Sequence, residues 1–256
     1  MGGHPLREQF PSDTWFSIVR GRVAPGMLSF LVSVILPSIL LLFLSIELQG
    51  WFLGLFWLAL SVAVLVYCVE FIDIETAFDD QLAWLGSLQD EDNLEKLLQS
   101  RNNFVETITY RVFRSMVPVL FWFLILGPAG ALFYALCHHY LGNLEEDNSA
   151  TELLERILFW MEWVPARVNI FIFALLGEFN RTWEVCVDSF FETEDAVTTS
   201  LYHAANAAVN TSRKEFSSVG DFIEQTEIDL NLLQPLLQRS FWGWLGVAAI
   251  LTILGL

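Results

Sequence analysis

Apolar runs long enough to enter a lipid bilayer alternate with polar stretches along the whole chain. A helix rises 1.5 Å per residue, so about 20 apolar residues cross a hydrocarbon core of about 30 Å. The pattern therefore predicts an all-α, polytopic integral membrane bundle of about five spans within a single domain, residues 1–256. The predicted spans are residues 27–46, 51–69, 117–137, 157–177 and 240–256.

Pro37 in the first predicted span and Pro128 in the third each predict a local irregularity. Pro37 in the first run predicts a kink and not a break, because a neighbouring helix can satisfy the carbonyl that proline leaves unbonded. In the third run, residues 127–130 read Gly-Pro-Ala-Gly. Small residues allow helices to approach closely, and Pro128 disturbs the hydrogen-bond ladder. We expect a packing kink there.

Two long polar regions, residues 70–116 and 178–239, separate the apolar runs. Apolar side chains recur at helical spacing over residues 74–88 and 221–237, which is typical of amphipathic helices. After residue 88 in the first polar region, the pattern predicts a short capped helix. A second helix is predicted to start near Asn103 and to continue toward the membrane.

The distribution of basic residues predicts the orientation of the spans. With the N terminus in the cytoplasm, 11 of the 13 Lys and Arg residues lie in cytoplasmic segments, namely residues 1–26, 70–116 and 178–239. Only Arg156 lies in a loop on the opposite side, and Arg167 lies within a span. Because basic residues concentrate on the cytoplasmic side, we predict a cytoplasmic N terminus and two cytoplasmic polar regions.

Composition supports a membrane protein and argues against nucleic acid as a partner. Hydrophobic residues make up 54% of the chain and charged residues 17%, whereas soluble domains contain about 25% charged residues. The lipid bilayer is therefore the expected partner. The net charge of −17 opposes nucleic-acid binding, which requires clustered Lys and Arg side chains to neutralise phosphates.

The sequence offers no established catalytic pattern. The motifs GxSxG, HExxH and GxxxxGK[ST] are absent, and the three cysteines show no CxxC spacing. We therefore expect no catalytic residues, no metal site and no cofactor. The acidic residues within 70–80 leave two alternatives, a magnesium site or solvated carboxylates at the exit of a membrane helix, and we prefer the second.

The fourth run carries the most unusual side chains, because Glu162 and Arg167 flank Pro165 within an apolar segment. An Arg at mid-bilayer costs about 2.5–3.5 kcal/mol on insertion scales. One hypothesis is that both charges reach the membrane surface by snorkelling. The other is a polar centre inside a helix bundle, beside backbone opened by the proline. Arg167 lies ten residues before Gly177, about 15 Å along a helix, which favours the second hypothesis for Arg167.

Three arginines, Arg101, Arg111 and Arg114, lie on the cytoplasmic approach to the third run. Arginine suits carboxylate and phosphate groups, so these side chains are candidates to contact a small anionic ligand on the cytoplasmic side. The alternative is that they anchor the protein to lipid headgroups.

Four short motifs stand out in the second half of the apolar pattern, namely PVLFW at residues 118–122, GPAGALFY at 127–134, WVPAR at 163–167 and FALLG at 173–177. These motifs resemble those of the AmpE family of Gram-negative inner-membrane proteins. The W-x-P-A-R element is also distantly similar to the cobinamide-phosphate synthases of the cobalamin pathway (CobD/CbiB). The resemblance is densest over residues 103–177.

The resemblance to AmpE implies a multi-pass protein of the bacterial inner membrane that acts as a sensor or signalling modulator in cell-wall stress, β-lactamase induction and hence antibiotic resistance, together with a protein partner. It also implies that Glu162, Trp163, Pro165 and Arg167 form the functional polar element.

The similarity to the synthases implies an alternative, an ATP-dependent amide-forming enzyme. Residues 109–116 lack the acidic and amide-rich pattern that the synthases carry before the third-span proline, so enzymatic activity is less favoured. A small-molecule transporter is a third alternative, because Pro165 can break a membrane helix.

Overall fold

The computed structural model describes residues 11–20, 22, 26–48, 55–70, 72–86, 94–143, 151–191, 196–210 and 218–254. Every regular element in these ranges is helical, so the predicted all-α fold is confirmed. The elements are α1 (Pro11–Arg20), α2 (Met27–Phe30), a π-helical segment (Leu31–Ile35), α3 (Leu36–Leu48), α4 (Leu55–Cys68), α5 (Ile74–Gly86), α6 (Leu94–Leu126), α7 (Pro128–Gly142), α8 (Thr151–Leu176), α9 (Phe179–Phe191), α10 (Val197–Ala208) and α11 (Val219–Leu254).

Among the described residues, three helical stretches are long and apolar enough to cross a membrane, namely Met27–Glu47, Leu94–Leu126 and Thr151–Leu176. The shorter helix α4 is apolar as well. The protein is therefore a polytopic membrane protein. The five-span arrangement stays a prediction. The single domain also stays a prediction, because the chain divides into two compact units. Unit 1 comprises Met1–Val69 and Phe121–Met161, and unit 2 comprises Glu70–Leu120 and Glu162–Leu256.

In unit 1, the predicted irregularity at Pro37 takes the form of the π-helical segment that precedes it. Proline has no N–H for the carbonyl four residues earlier, which belongs to Ser33. The indole Nε1 of Trp15 donates a 3.3 Å hydrogen bond to that carbonyl oxygen. The helix thus continues through Pro37, and α1 supplies the bond that the proline removes.

The third predicted span is divided at Gly127, where a single kinked helix over residues 117–137 was expected. Helix α6 ends at Leu126 and Pro128 begins α7. Gly127 has a φ of +69°, which glycine adopts without steric cost, whereas Pro128 fits the first turn of a new helix. The prediction of one continuous span was therefore wrong at this position.

The packing of α7 within unit 1 centres on Tyr140, which is buried. The rings of Phe16 in α1 and Phe30 in α2 lie 5.5 Å and 6.0 Å from the Tyr140 ring. Helix α7 also packs against α3 and α4.

The chain from Leu94 to Leu126 forms one continuous helix, although the sequence pattern predicted two. Its 33 residues extend about 50 Å, well beyond a bilayer core. Helix α11 likewise runs without interruption through Pro235. The sequence pattern changes where a polar section of each helix meets an apolar section, and this change suggested a helix end. The helices nevertheless continue, because backbone hydrogen bonding depends little on side-chain polarity.

Asp73 caps the N-terminal end of the amphipathic helix α5. The Asp73 carboxylate accepts hydrogen bonds from the backbone N–H of Thr76 at 3.1 Å and from its hydroxyl at 2.6 Å. These bonds hold the pKa of Asp73 below its ordinary value. Within the described residues, no group of three or more His, Cys, Asp or Glu side chains is arranged to hold a metal ion.

A close backbone approach fixes the end of α8. A Cβ atom on Gly177 would lie 2.5 Å from the carbonyl oxygen of Ala208 in α10. The adjacent N–H of Glu178 donates a 2.9 Å hydrogen bond to that same oxygen. Only glycine fits here, so the polypeptide turns from α8 into α9 directly against the end of α10.

Candidate functional site

Helix α8 presents one apolar face outward and one mixed face inward. The outward face exposes Val164, Val168, Phe171 and Leu175 at spacings of four, three and four residues. The rest of the helix surface is largely buried and includes three polar residues, Glu162, Arg167 and Asn169, which we call the polar centre. Each retains 6% exposure or less, so a membrane helix here keeps its polar side chains within protein, as the cost of charge in lipid requires.

Glu162 accepts a 3.0 Å hydrogen bond at Oε2 from the hydroxyl of Tyr110 in α6. Both residues belong to unit 2. A buried carboxyl group needs such a donor because its desolvation is otherwise uncompensated.

Among the described residues of unit 2, Arg167 is the largest side chain that is almost completely buried, with 1% exposure. Its guanidinium carbon lies 4.9 Å from the centre of the Trp163 ring, one turn earlier on α8, which is a cation–π distance. The edge of Trp163 in turn meets Phe190 of α9, with ring centres 6.5 Å apart. Snorkelling to a membrane surface is therefore the wrong hypothesis for Arg167, because the side chain ends inside the protein.

The thiol of Cys186 in α9 also lies near Arg167. Burial raises the pKa of Cys186, and the positive charge of Arg167 opposes that shift. Cys186 is 2% exposed, so it lies on a buried face of α9. Glu162 and Arg167 therefore contact different neighbours, although α8 continues as one helix through Pro165.

Pro165 leaves the carbonyl of Met161 without its usual helical donor. The indole Nε1 of Trp122 donates a 2.8 Å hydrogen bond to that carbonyl oxygen, and both residues belong to unit 1. The expected opening of the backbone beside Pro165 is therefore filled by a tryptophan, as it is beside Pro37.

Asn169 is the member of the polar centre that sequence reasoning missed. Its Oδ1 accepts hydrogen bonds from Ser240 Oγ and Trp244 Nε1 of α11, both at 3.0 Å. A cavity of about 10 Å³ adjoins Asn169 and Ser240. The buried hydroxyl of Thr109 also lines it and has no hydrogen-bond partner among the described residues. The available signal was an amide within an apolar membrane run.

The three arginines of α6 do not form one site. Arg101 donates to Asp229 of α11 at 3.0 Å and also bonds to Asn206 of α10. Arg114 pairs with Glu70 at 3.3 Å, while Arg111 is exposed. Arg101 and Arg114 are thirteen residues apart on one helix, or about 20 Å. The three side chains therefore do not converge on one point, and their contact with an anionic ligand stays a prediction.

Tyr110 and Arg114 lie one turn apart on α6 and extend the polar centre toward Glu70. Tyr110 bonds to Glu162, and Arg114 bonds to Glu70. The backbone N–H of Glu70 also donates to the carbonyl of Ser115 at 3.2 Å. A strip of polar contacts thus follows α6 within unit 2, and its four side chains offer hydrogen bonding and charge but no arranged nucleophile.

A family model described as "Regulatory signalling modulator protein AmpE" matches residues 72–215. The match includes Tyr110, the three arginines of α6 and the whole polar centre, whereas Ser240 and Trp244 lie beyond it. No curated protein and no solved structure matches the chain.

Proposed function

The chain belongs to the AmpE family of regulatory signalling modulators, and on that premise we propose that it modulates a cell-wall stress signal in the inner membrane of a bacterium, with β-lactamase induction as an output. The observation that carries the proposal is that the family match, over more than half of the chain, contains the buried polar centre. The N terminus and both long polar regions lie in the cytoplasm.

The polar centre supplies the element that responds to the signal. Buried hydrogen bonds and charges have discrete arrangements, because a half-bonded charge inside a membrane protein is costly. Glu162 with Tyr110 connects α8 to α6, and Asn169 with Ser240 and Trp244 connects α8 to α11. A ligand or partner that favours one arrangement shifts the population of α8 positions.

A deletion strain tests this function directly. The gene for this chain is removed from a β-lactamase-inducible Gram-negative host, and induction by a β-lactam is measured after complementation with wild-type, Arg167→Ala or Val168→Ala chains. Val168 is the matched control, because it neighbours Arg167 but faces outward. We expect the wild type and Val168→Ala to restore the induction ratio, and Arg167→Ala to fail. Identical induction with and without the gene contradicts the proposal, provided immunoblots show the complementing wild-type protein in the membrane.

A further inference from the structure

Helix α9 has three distinct faces around its axis. Successive residues of a helix differ by about 100°, so residues 182, 186 and 189 share one face, and there Thr182, Cys186 and Ser189 are buried. The next face exposes large apolar side chains, and the third exposes charged ones. The apolar face consists of Phe179, Trp183, Val187 and Phe190, and the charged face includes Arg181, Glu184 and Asp188.

The aromatic side chains on the apolar face of α9 are unusually exposed. Phe179, Trp183 and Phe190 expose 45%, 43% and 49% of their surfaces. The rings of Phe179 and Trp183 stack with their centres 5.7 Å apart and their planes at 14°, so they form one continuous apolar surface. Exposed apolar patches of this kind mark contacts with proteins or membranes.

This apolar surface continues that of the membrane-spanning helix α8. Trp183 contacts Phe171 with ring centres 6.2 Å apart, and Phe171 belongs to the outward face of α8 together with Val168 and Leu175. That face lies in a helix long and apolar enough to cross a bilayer, and we expect acyl chains to cover it. Continuity from Phe171 to Trp183 extends the same lipid contact onto α9.

We propose that α9 is an interfacial helix that lies along the membrane surface, with its apolar face in contact with acyl chains and its charged face in water. A division into packed, apolar and charged faces matches the design of helices that lie in the interface plane. Tryptophan suits this depth, because its indole is apolar at one side and polar at the other. Trp163 and Phe190 then connect the lipid-contacting helix to Arg167.

Spin-label accessibility tests the proposal on the full chain in phosphatidylcholine–phosphatidylglycerol nanodiscs. Cys68, Cys137 and Cys186 are first replaced by Ala, and a nitroxide is attached at Val187→Cys or, as the matched control on the charged face, at Glu184→Cys. Collision with oxygen, which concentrates in lipid, is compared with collision with a water-soluble nickel complex. We expect the oxygen-to-nickel ratio at residue 187 to exceed that at residue 184 at least threefold.

Two results would overturn the proposal. Equal ratios at both positions would mean that the apolar face contacts water, and exclusion of both reagents from residue 187 would mean that protein covers it. Because the triple replacement can disturb folding, the wild-type chain provides a second measurement. Brominated lipids should quench less of the tryptophan emission after Trp183→Phe than before, and an unchanged quenched fraction would contradict lipid contact.

Discussion

The indole Nε1 of Trp122 donates a 2.8 Å hydrogen bond to the carbonyl oxygen of Met161, the carbonyl that Pro165 deprives of its helical donor. Trp122→Phe should therefore leave a polar atom without a donor inside the bundle, at a cost of about 1–3 kcal/mol in the free energy of unfolding. Thermal unfolding in detergent measures the loss. Trp160→Phe is the control, because Trp160 is 53% exposed.

A double-mutant cycle separates this hydrogen bond from the packing of the indole ring. Pro165→Ala restores an N–H that can bond to the Met161 carbonyl within α8. In that background, Trp122→Phe should cost clearly less than in the wild type. Equal costs in both backgrounds would mean that Trp122 contributes only its ring.

Arg167→Ala should strongly destabilise the protein, because the substitution removes a large buried side chain and its cation–π contact with Trp163. We expect a loss of about 3 kcal/mol or more. Arg111→Ala makes the same chemical change at an exposed position of α6 and should stay within about 0.5 kcal/mol of the wild type. Similar unfolding temperatures for both variants would contradict the buried position of Arg167.

Much of the fold, and less of the site, follows from the sequence. Apolar runs and helical spacing predict membrane helices, and the depth of Arg167 within a run predicts its burial. The partners of these side chains are not predictable in this way, because Tyr110 lies 52 residues from Glu162 along the chain. The division at Gly127 was missed because a kink and a turn share the same small residues. Asn169 was missed because no charge distinguished it.

Tyr110→Phe removes the hydroxyl that donates a hydrogen bond to Glu162 and keeps the aromatic ring. Glu162 is buried, and an acceptor left without its donor inside the protein costs about 1–3 kcal/mol, so the unfolding temperature should fall measurably. Tyr202→Phe, at a partly exposed position of α10, should have little effect. In a Glu162→Ala background the cost of Tyr110→Phe should be smaller, because the acceptor is then absent. An undiminished cost would assign the effect to other contacts of Tyr110.

The cap of α5 predicts a pH dependence with a definite sign. Hydrogen bonds from Thr76 lower the pKa of Asp73 in the folded protein, so the folded state favours the carboxylate. This contribution to stability is complete above the ordinary Asp pKa of about 3.9 and is lost as the pH falls through the lowered folded-state value. Asp73→Asn should reduce the loss of α5 stability between pH 7 and pH 3, measured by hydrogen exchange of its amides.

Exposed positions on α9 allow the orientation of the membrane spans to be tested, whereas Cys186 is too deeply buried to report it. In a chain with its three cysteines replaced by Ala, Glu184→Cys places one accessible thiol on the charged face. With a cytoplasmic N terminus, a membrane-impermeant maleimide should label this thiol in inverted inner-membrane vesicles and not in intact spheroplasts. Val187→Cys is the matched control, because lipid should slow its labelling in both preparations. Labelling of Glu184→Cys in spheroplasts would reverse the orientation that the basic residues predict.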